Sequence, residues 1–286
     1  MTAAATAAYL RRLGLDDHLP PTAATLATVH RAHLATVPYE NLAIMLGRPP
    51  SVDPDRCLER VARRGRAGYC FHQNAALEAA LLGLGFTVER RHGHVWTDPA
   101  WRHHPLLNHL VLVVTGLPTD DNPGGRWWPD AGLGEGFWEP LRLVAGEVTD
   151  GPFRFRLDDV TDAGWSFGHD PAGSFRGIEV DDRPADHAAV AAGHRELSTP
   201  PDGVFTRVLV AQRRVPGGLR SLRCCVLTST TVEGAHATDV TSWSDWRAAL
   251  VDVVGVPVDD VPVDDLRALH ARMVEAHRAW DEAGRP

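Results

Sequence analysis

Lysine is absent from this 286-residue sequence, so all 29 of its Lys and Arg positions are arginine. Without a lysine amine, the chain can neither form a Schiff base with a substrate nor build a lysine-dependent phosphate loop. The formal net charge is -8 at pH 7, which leaves no basic excess to attract nucleic acid or an anionic membrane surface. We therefore expect neither of these among the partners.

Cysteines are few, and no apolar run approaches the length that crosses a membrane. The four cysteines, none in a C-x-x-C spacing, are Cys57, Cys70, Cys224 and Cys225. A zinc site or a disulfide framework is therefore not expected. Because the N-terminus also lacks a basic region before a sustained apolar stretch, we predict a cytoplasmic protein. The run over residues 222–227 predicts a buried strand with Cys224 and Cys225 on opposite faces.

The fold class predicted from hydrophobic periodicity is α+β. Thr22 can cap a helix that ends before Pro38, and further helical patterns cover residues 55–64 and a segment from Cys70 to Gly83 or Gly85. These helices predict an N-terminal bundle over residues 1–85. Strand-like alternation from residue 86 predicts a central β-barrel or curled sheet over residues 86–196.

The last predicted unit is a C-terminal α/β lid over residues 197–286. It contains a hairpin, formed by residues 205–213 and 219–228, and a tail helix from about residue 263 to residue 283. Turn residues Pro216, Gly217 and Gly218 separate the two strands of the hairpin.

Cys70 is a candidate nucleophile because of its position. A glycine-containing turn leads into a run of strong helix formers, so this cysteine lies within one turn of a helix N-terminus. Unpaired N–H groups and the positive end of the helix dipole favour a thiolate there. The alternative is a buried cysteine that packs as a small apolar residue.

His109 and Asp130 are the residues that could complete a triad with Cys70. His109 starts a predicted buried strand, and Asp130 follows a short aromatic strand and precedes a glycine-rich turn. A thiol, an imidazole that moves the proton and a carboxylate that orients the imidazole are the parts of a Cys-His-Asp triad. Order along the chain does not establish such a triad, because triads are defined by geometry.

Histidines are concentrated between residues 92 and 109, and His92 and His94 would share one face of a strand. They lack a nearby acidic or cysteine ligand that would complete a metal shell. We therefore predict no metal site and interpret these histidines as solvated loop residues.

Four ordered motifs and a fainter fifth resemble those of the arylamine N-acetyltransferase family. They are Pro38-Tyr39-Glu40-Asn41-Leu42, Arg66-Ala67-Gly68-Tyr69-Cys70-Phe71-His72, the strand residue His109, Pro129-Asp130-Ala131-Gly132-Leu133-Gly134 and residues 197–205. The resemblance implies a papain-like core in which Cys70, His109 and Asp130 are catalytic. It also implies that no cofactor is permanently bound and that acetyl-CoA is the acyl donor.

The resemblance further implies a role for several residues around the nucleophile. Tyr39, Leu133, Phe205 and Phe71 are expected to contact substrate. A buried ion pair between Glu40 and Arg66 is expected to hold the nucleophile loop.

Four positions depart from the family pattern. Tyr39 adds a hydroxyl where the family has phenylalanine. Ala67 replaces a glycine, which requires a negative φ at that position. His72 stands where the family usually has glutamate, and in a helix it should point away from Cys70. Leu133 lacks the aromatic ring that a small arylamine would stack on, a contact worth about 0.5–1.5 kcal/mol.

The predicted function is therefore acetyl transfer from acetyl-CoA to an arylamine, a hydrazine or a related amine, through an acetyl-cysteine intermediate. One alternative is an amide synthase that takes a longer acyl chain from a carrier protein, and a more distant one is a papain-like thiol hydrolase. Partners would be the amine and the CoA thioester. A homodimer is also possible. Under the first alternative, an acyl carrier protein would be a further possible partner.

Overall fold

The computed structural model describes residues 3–285. Its N-terminal part is helical, with one short strand: α1 (Ala3–Arg12), α2 (Ala23–Thr36), β1 (Tyr39–Glu40), α3 (Leu42–Met45), α4 (Pro54–Arg64) and α5 (Cys70–Gly83). The Thr22 side chain caps α2 by accepting from the Thr25 N–H, which confirms that prediction. Gly65 ends α4 in a left-handed conformation with φ of 68°.

An eight-stranded sheet follows α5. Its strands are β2 (Thr87–Trp96), β3 (His109–Thr115), β4 (Trp127–Trp128), β5 (Leu141–Arg142), β6 (Gly146–Asp150), β7 (Phe153–Asp158), β8 (Trp165–Gly168) and β9 (Gly177–Asp181). The spatial order is β5-β4-β3-β2-β9-β8-β7-β6. Within the described residues the edge strands β5 and β6 do not pair with each other. The sheet is thus a curled half-barrel, which confirms the curled sheet and not the barrel of the two predicted forms.

Two strands at one edge of the sheet are short. Strands β4 and β5 contain two residues each and are flanked by Pro129 and Pro140. Proline cannot donate to a strand ladder, which limits the length of these strands.

The C-terminal part contains a second, antiparallel sheet and most of the remaining helices. These elements are α6 (His187–Ser198), α7 (Val204–Arg207), β10 (Val210–Val215), β11 (Gly218–Arg223), β12 (Val226–Thr231), β13 (Gly234–Asp239), α8 (Trp243–Ala248) and α9 (Val263–Glu282). The sheet order is β1-β10-β11-β12-β13, so the early strand β1 is paired with the late strand β10. The predicted tail helix is confirmed by α9.

Two predictions in this part are wrong. Residues 205–207 belong to the helix α7, not to a strand, and the strand begins at Val210. Cys224 and Cys225 form the turn between β11 and β12, and Cys224 has φ of 50°. A left-handed residue cannot continue a ladder, so the predicted single strand is divided into a hairpin.

Three apolar clusters hold these layers together. The first joins α1, α2, α4 and α5 to one face of β3, the second lies between the C-terminal sheet and α8 and α9, and the third fills the concave side of the half-barrel. In the part of the chain that the structure describes, no helix is both long and apolar enough to span a bilayer. The three-unit division and the cytoplasmic location stay predictions.

Candidate functional site

Cys70 is the first residue of α5. Tyr69 precedes it in an extended conformation, and Gly68 has φ of 133°, which few side chains tolerate. Helix geometry leaves the N–H groups of Cys70 and Phe71 without intrahelical acceptors. The thiol is 5% exposed, and its Sγ lies 3.6 Å from the carbonyl oxygen of Asn108. The nucleophile candidate is therefore nearly buried, at the positive end of a helix.

His109 begins β3 and connects Cys70 to Asp130. Its Nε2 lies 2.8 Å from Asp130 Oδ2, and Cys70 is near enough to add to the rise of the His109 pKa. Burial lowers the pKa of His109, but the charge of Asp130, its hydrogen bond and Cys70 together raise that pKa to about 10. The charged imidazolium is thus stabilised between a carboxylate and a thiol. Cys70, His109 and Asp130 are therefore adjacent in the folded chain.

Asp130 is held by several donors. Besides His109, its carboxylate accepts from Trp128 Nε1 at 3.0 Å, from Asn74 Nδ2 at 2.8 Å and from the Gly132 N–H at 2.9 Å. Such a fully satisfied buried carboxylate keeps one orientation toward the imidazole. Sequence reasoning missed Asn74 and Trp128. The signal for Asn74 was its spacing, because a residue four positions after Cys70 lies on the same helix face.

His30 supports the same loop from α2. Its Nε2 accepts the Asp130 N–H at 3.1 Å, and its Nδ1 lies 3.1 Å from the carbonyl oxygen of Trp138. An acceptor at Nε2 and a donor at Nδ1 correspond to the neutral tautomer. Burial also lowers the pKa of His30, which is consistent with a neutral ring.

Glu40 and Arg66 lie together beneath the nucleophile loop. Arg66 Nη1 is 3.6 Å from Glu40 Oε1, and both side chains are buried. The second Glu40 oxygen accepts the Leu42 N–H at 2.6 Å. Arg66 also donates to Asp260 at 2.9 and 3.0 Å, a partner that sequence reasoning missed because it lies 194 positions away.

A buried polar chain runs from α1 to the nucleophile loop. The Tyr9 hydroxyl lies 2.6 Å from His33 Nδ1, and His33 Nε2 lies 2.6 Å from Gln73 Oε1. Gln73 Nε2 then donates to the carbonyl oxygens of Pro38 at 2.7 Å and of Gly68 at 3.1 Å. Because Gln73 Oε1 can only accept, His33 carries its proton on Nε2 and accepts from Tyr9 at Nδ1.

The departures Ala67 and His72 are both accommodated. Among the described residues, the non-glycine positions with positive φ are Asp159, Cys224 and Arg285, so Ala67 has no strained backbone. His72 Nε2 lies 3.1 Å from the carbonyl oxygen of Pro50, and its ring packs against Tyr69 and His194. Burial, and then His194, lower the pKa of His72 well below its usual value, so it is a neutral ring.

The predicted pocket residues have different surroundings. Phe205 packs edge-to-face on Tyr69 at 4.9 Å, directly beside Cys70. Tyr39 pairs through its backbone with Gly68, two residues before Cys70. Burial, and then the charge of Cys70, raise the pKa of Tyr39 well above its usual value. Leu133 belongs to the core of the half-barrel, and Phe71 is fully buried against Tyr69 and His194. Their contacts with substrate stay predictions, and Phe71 offers no exposed surface in this conformation.

The interpretation of the histidines between residues 92 and 109 as solvated loop residues is wrong for His92, His94 and His109, which are buried on β2 and β3. Both ring nitrogens of His94 lie 2.9 Å from backbone carbonyl oxygens, those of Leu106 and Trp101. Over residues 3–285, no group of three or more His, Cys, Asp or Glu side chains is arranged to hold a metal ion.

Comparison with known proteins places this geometry in a family. Residues 22–262 match a family model described as N-acetyltransferase. Over 143 residues, the chain is 37% identical to an arylamine N-acetyltransferase of Mycolicibacterium smegmatis, a stretch that covers 49% of this chain and 50% of that relative. A similar match to arylamine N-acetyltransferase 1 of Homo sapiens is 31% identical and covers 52% of that relative. The chain thus spans about half the length of the curated relatives it matches first.

Solved structures match over more of the chain. The structure of arylamine N-acetyltransferase from Salmonella typhimurium has a TM-score of 0.80 and 26% identity, and the match covers 95% of this chain and 99% of that one. The Mycobacterium marinum enzyme, solved in complex with CoA, has a TM-score of 0.81 and 25% identity over 93% of this chain and 97% of that one. The family suggested by the sequence motifs is thereby confirmed, and this chain belongs to the N-acetyltransferase family that includes the arylamine N-acetyltransferases.

Proposed function

We propose that this protein transfers an acetyl group from acetyl-CoA to an arylamine or a related amine, through a thioester on Cys70. The observation that carries the proposal is the hydrogen bond of His109 to Asp130 at the start of β3, with Cys70 Sγ 3.6 Å from the carbonyl oxygen of Asn108, the residue that precedes His109. The CoA complex of the Mycobacterium marinum relative supports a CoA thioester as the donor.

In the first half-reaction, the Cys70 thiolate attacks the carbonyl carbon of acetyl-CoA. The bond between that carbon and the CoA sulfur breaks, and the leaving CoA thiolate takes the proton from the His109 imidazolium. The products are acetyl-Cys70, CoA and a neutral His109. The pKa of about 10 at His109 supports this assignment, because it keeps the proton on the ring until a thiolate leaves.

In the second half-reaction, an amine attacks the acetyl carbon on Cys70. Neutral His109 takes a proton from the attacking nitrogen while the bond between carbon and the Cys70 sulfur breaks. The amide leaves, and the pair of Cys70 thiolate and His109 imidazolium is restored. Asp130 keeps the ring oriented in both steps, which its 2.8 Å hydrogen bond supports.

Negative charge on the acetyl oxygen must be stabilised in both steps. The N–H groups of Cys70 and Phe71 at the start of α5 are the donors that we assign to this oxygen, since the helix leaves them without acceptors. Their alignment with the helix dipole adds to the stabilisation.

Intact mass spectrometry tests the proposal. The protein is mixed with acetyl-CoA without an amine, beside a Cys70→Ala variant and a Cys224→Ala variant that keeps the nucleophile. One acetyl group is expected on the wild type and on Cys224→Ala, and none on Cys70→Ala. Adding an arylamine should remove the acetyl group and release an acetylated amine.

Two results would count against the proposal. If no sample gains an acetyl group although iodoacetamide still alkylates Cys70, the donor is not acetyl-CoA, and a carrier-bound acyl chain becomes the favoured donor. If the acetyl group is lost at the same rate with and without the amine, water is the acceptor and the protein is a hydrolase.

A further inference from the structure

Asn108 is the residue before His109, and its side chain continues the pairing of β2 with β3. The backbone pairs of these two strands end at Gly93 opposite His109, although β2 itself continues to Trp96. The edge of β2 that faces β3 therefore needs another hydrogen-bond partner over its last residues.

The amide of Asn108 supplies that partner. Its Oδ1 accepts the Val95 N–H at 2.7 Å, and its Nδ2 donates to the carbonyl oxygen of Val95 at 2.8 Å. A side-chain amide offers a donor and an acceptor as a peptide group does, so these two bonds replace one backbone pair of the ladder. On its other edge, Val95 is paired with Ile178 of β9, so the side chain of Asn108 is fixed to a strand with two neighbours.

The backbone of the same residue faces the nucleophile. The carbonyl oxygen of Asn108 lies 3.6 Å from Cys70 Sγ. That carbonyl group belongs to the peptide bond that joins Asn108 to His109. The contacts that fix Asn108 therefore also fix the way in which His109 enters β3.

A second side-chain amide holds the chain after His109. Asn74 Nδ2 donates to the carbonyl oxygen of Leu110 at 2.6 Å and to Asp130 Oδ1 at 2.8 Å. His109 Nε2 itself lies 2.8 Å from Asp130 Oδ2. The backbone is thus tied on both sides of His109, which restricts the movement of its ring relative to Asp130 and Cys70.

We propose that Asn108 is a positioning residue of the triad, which through its two hydrogen bonds to Val95 holds His109 and its own carbonyl group beside Cys70. The inference rests on the proposed role of Cys70 as nucleophile and does not depend on the acyl donor. Without the amide, the start of β3 is released from β2 and the imidazolium moves relative to the thiolate. The thiolate then loses part of its ion-pair stabilisation, so it forms at higher pH.

The test is the pH dependence of the rate at which iodoacetamide alkylates Cys70, followed by peptide mass spectrometry without any acyl donor. In Asn108→Ala, the midpoint of this profile is expected to rise by about one pH unit, toward the value of about 8.5 for a free thiol. Asn122→Ala is the matched control, because this buried amide also donates to a backbone carbonyl oxygen, that of Arg126 at 2.9 Å, in the turn before β4. Its midpoint should equal that of the wild type.

The rate of acetyl-Cys70 formation gives a second measurement. In Asn108→Ala, the rate at saturating acetyl-CoA should fall by about tenfold, while the acetyl-CoA concentration that gives half of this rate should change by less than about twofold. A positioning residue affects the chemical step more than the binding of the donor. Asn108→Ser, whose hydroxyl can bond with one of the two Val95 groups, should lie between Asn108→Ala and the wild type in both measurements.

Several outcomes would overturn the proposal. An unchanged alkylation profile in Asn108→Ala is one, and an equal shift in Asn122→Ala, which would indicate a general loss of stability, is another. A higher half-saturating concentration at an unchanged maximal rate would mean that Asn108 binds the donor instead. If acetyl-CoA does not acetylate the wild type, the proposed donor fails, while the alkylation profiles still decide the role of Asn108. Because Asn108→Ser is the smaller change, it keeps the test decisive even if Asn108→Ala is poorly folded.

Discussion

Gly132 lies directly against the backbone of Cys70. A Cβ atom built on Gly132 would stand 2.8 Å from both the Cα and the carbonyl oxygen of Cys70, and 3.0 Å from Asn74 Nδ2. Real Cβ atoms almost never come this close to backbone atoms, and backbone cannot rotate away as a side chain can. The missing side chain therefore lets the loop that carries Asp130 pack on the first turn of α5.

Replacement of Gly132 by alanine should push the loop that carries Asp130 away from the first turn of α5. In Gly132→Ala we expect the loop to move by several tenths of an ångström, at a cost of roughly 1–3 kcal/mol in unfolding free energy. Acetylation of Cys70 should slow by about tenfold or more, because triad geometry is lost. Urea unfolding and the rate of acetyl-Cys70 formation measure these effects. Gly124→Ala is the matched control, since a Cβ there meets nothing within 4 Å, and an equal effect in both variants would refute the close-packing argument.

The charge of Asp130 should determine the protonation state of His109. Burial alone lowers the pKa of His109, and Asp130 and Cys70 raise it to about 10, so in Asp130→Asn the pKa should fall. A raised native pKa gives stability that is fully present below the unfolded value of 6.5 and is lost as the pH rises through about 10. In Asp130→Asn this alkaline loss of stability should disappear.

Histidine-labelled NMR titrations of both proteins, with His109→Gln to assign the signal, would measure that pKa. Urea unfolding at two alkaline pH values would measure the stability. An unchanged titration of His109 in Asp130→Asn would show that Asp130 does not stabilise the imidazolium.

The polar chain below the nucleophile loop gives a prediction about Gln73. Gln73→Leu should leave His33 Nε2 and the carbonyl oxygen of Pro38 without partners, at a cost of roughly 2–4 kcal/mol in unfolding free energy. The carbonyl oxygen of Gly68 loses one of its two donors and keeps the Glu40 N–H at 3.0 Å. Tyr9→Phe removes only the first link of the chain and should cost less, about 1–2 kcal/mol. Urea denaturation measures both. A larger loss in Tyr9→Phe than in Gln73→Leu would contradict this order.

Local patterns were sufficient to predict several parts of the site and the fold. The start of α5 at Cys70 follows from a turn glycine and strong helix formers, and the cap at Thr22 follows from its side-chain chemistry. His109 and Asp130 could be chosen because they stand at the ends of apolar segments. Their adjacency could not be derived from the spacing, since it depends on how β3 and β4 pack against α5.

The missed features depend on contacts between distant residues. Asp260 approaches Arg66 from the segment before α9, and His30 approaches Asp130 from α2. Neither pair has a sequence signature. Residues so far apart along the chain are brought into contact by the packing of the whole fold. The turn at Cys224 was missed for a related reason: its left-handed φ of 50° occurs at a residue without the usual turn chemistry, and the β-branched residues that follow at 226–231 favour a strand.

Buried neutral histidines should make the protein sensitive to mild acid. Burial lowers the pKa of His30, His72 and His194, and it lowers the pKa of His33 to about 4 from 6.5. Between pH 6.5 and about pH 4, histidine in the unfolded chain binds a proton that buried His33 in the folded chain does not bind. The unfolding free energy therefore falls as the pH falls through this range. For His33 alone the full effect is roughly 3 kcal/mol.

Urea unfolding from about pH 7 to about pH 5 isolates this effect, because most carboxylates titrate below that range. In His33→Gln, whose amide can still accept from Tyr9 and donate to Gln73, the unfolding free energy should fall less steeply with decreasing pH than in the wild type. His18→Gln, which removes a histidine from the loop between α1 and α2, is the control and should keep the wild-type slope. If His33→Gln kept that slope as well, the acid sensitivity would have to come from the other buried histidines, and the neutral state of His33 would not contribute to it.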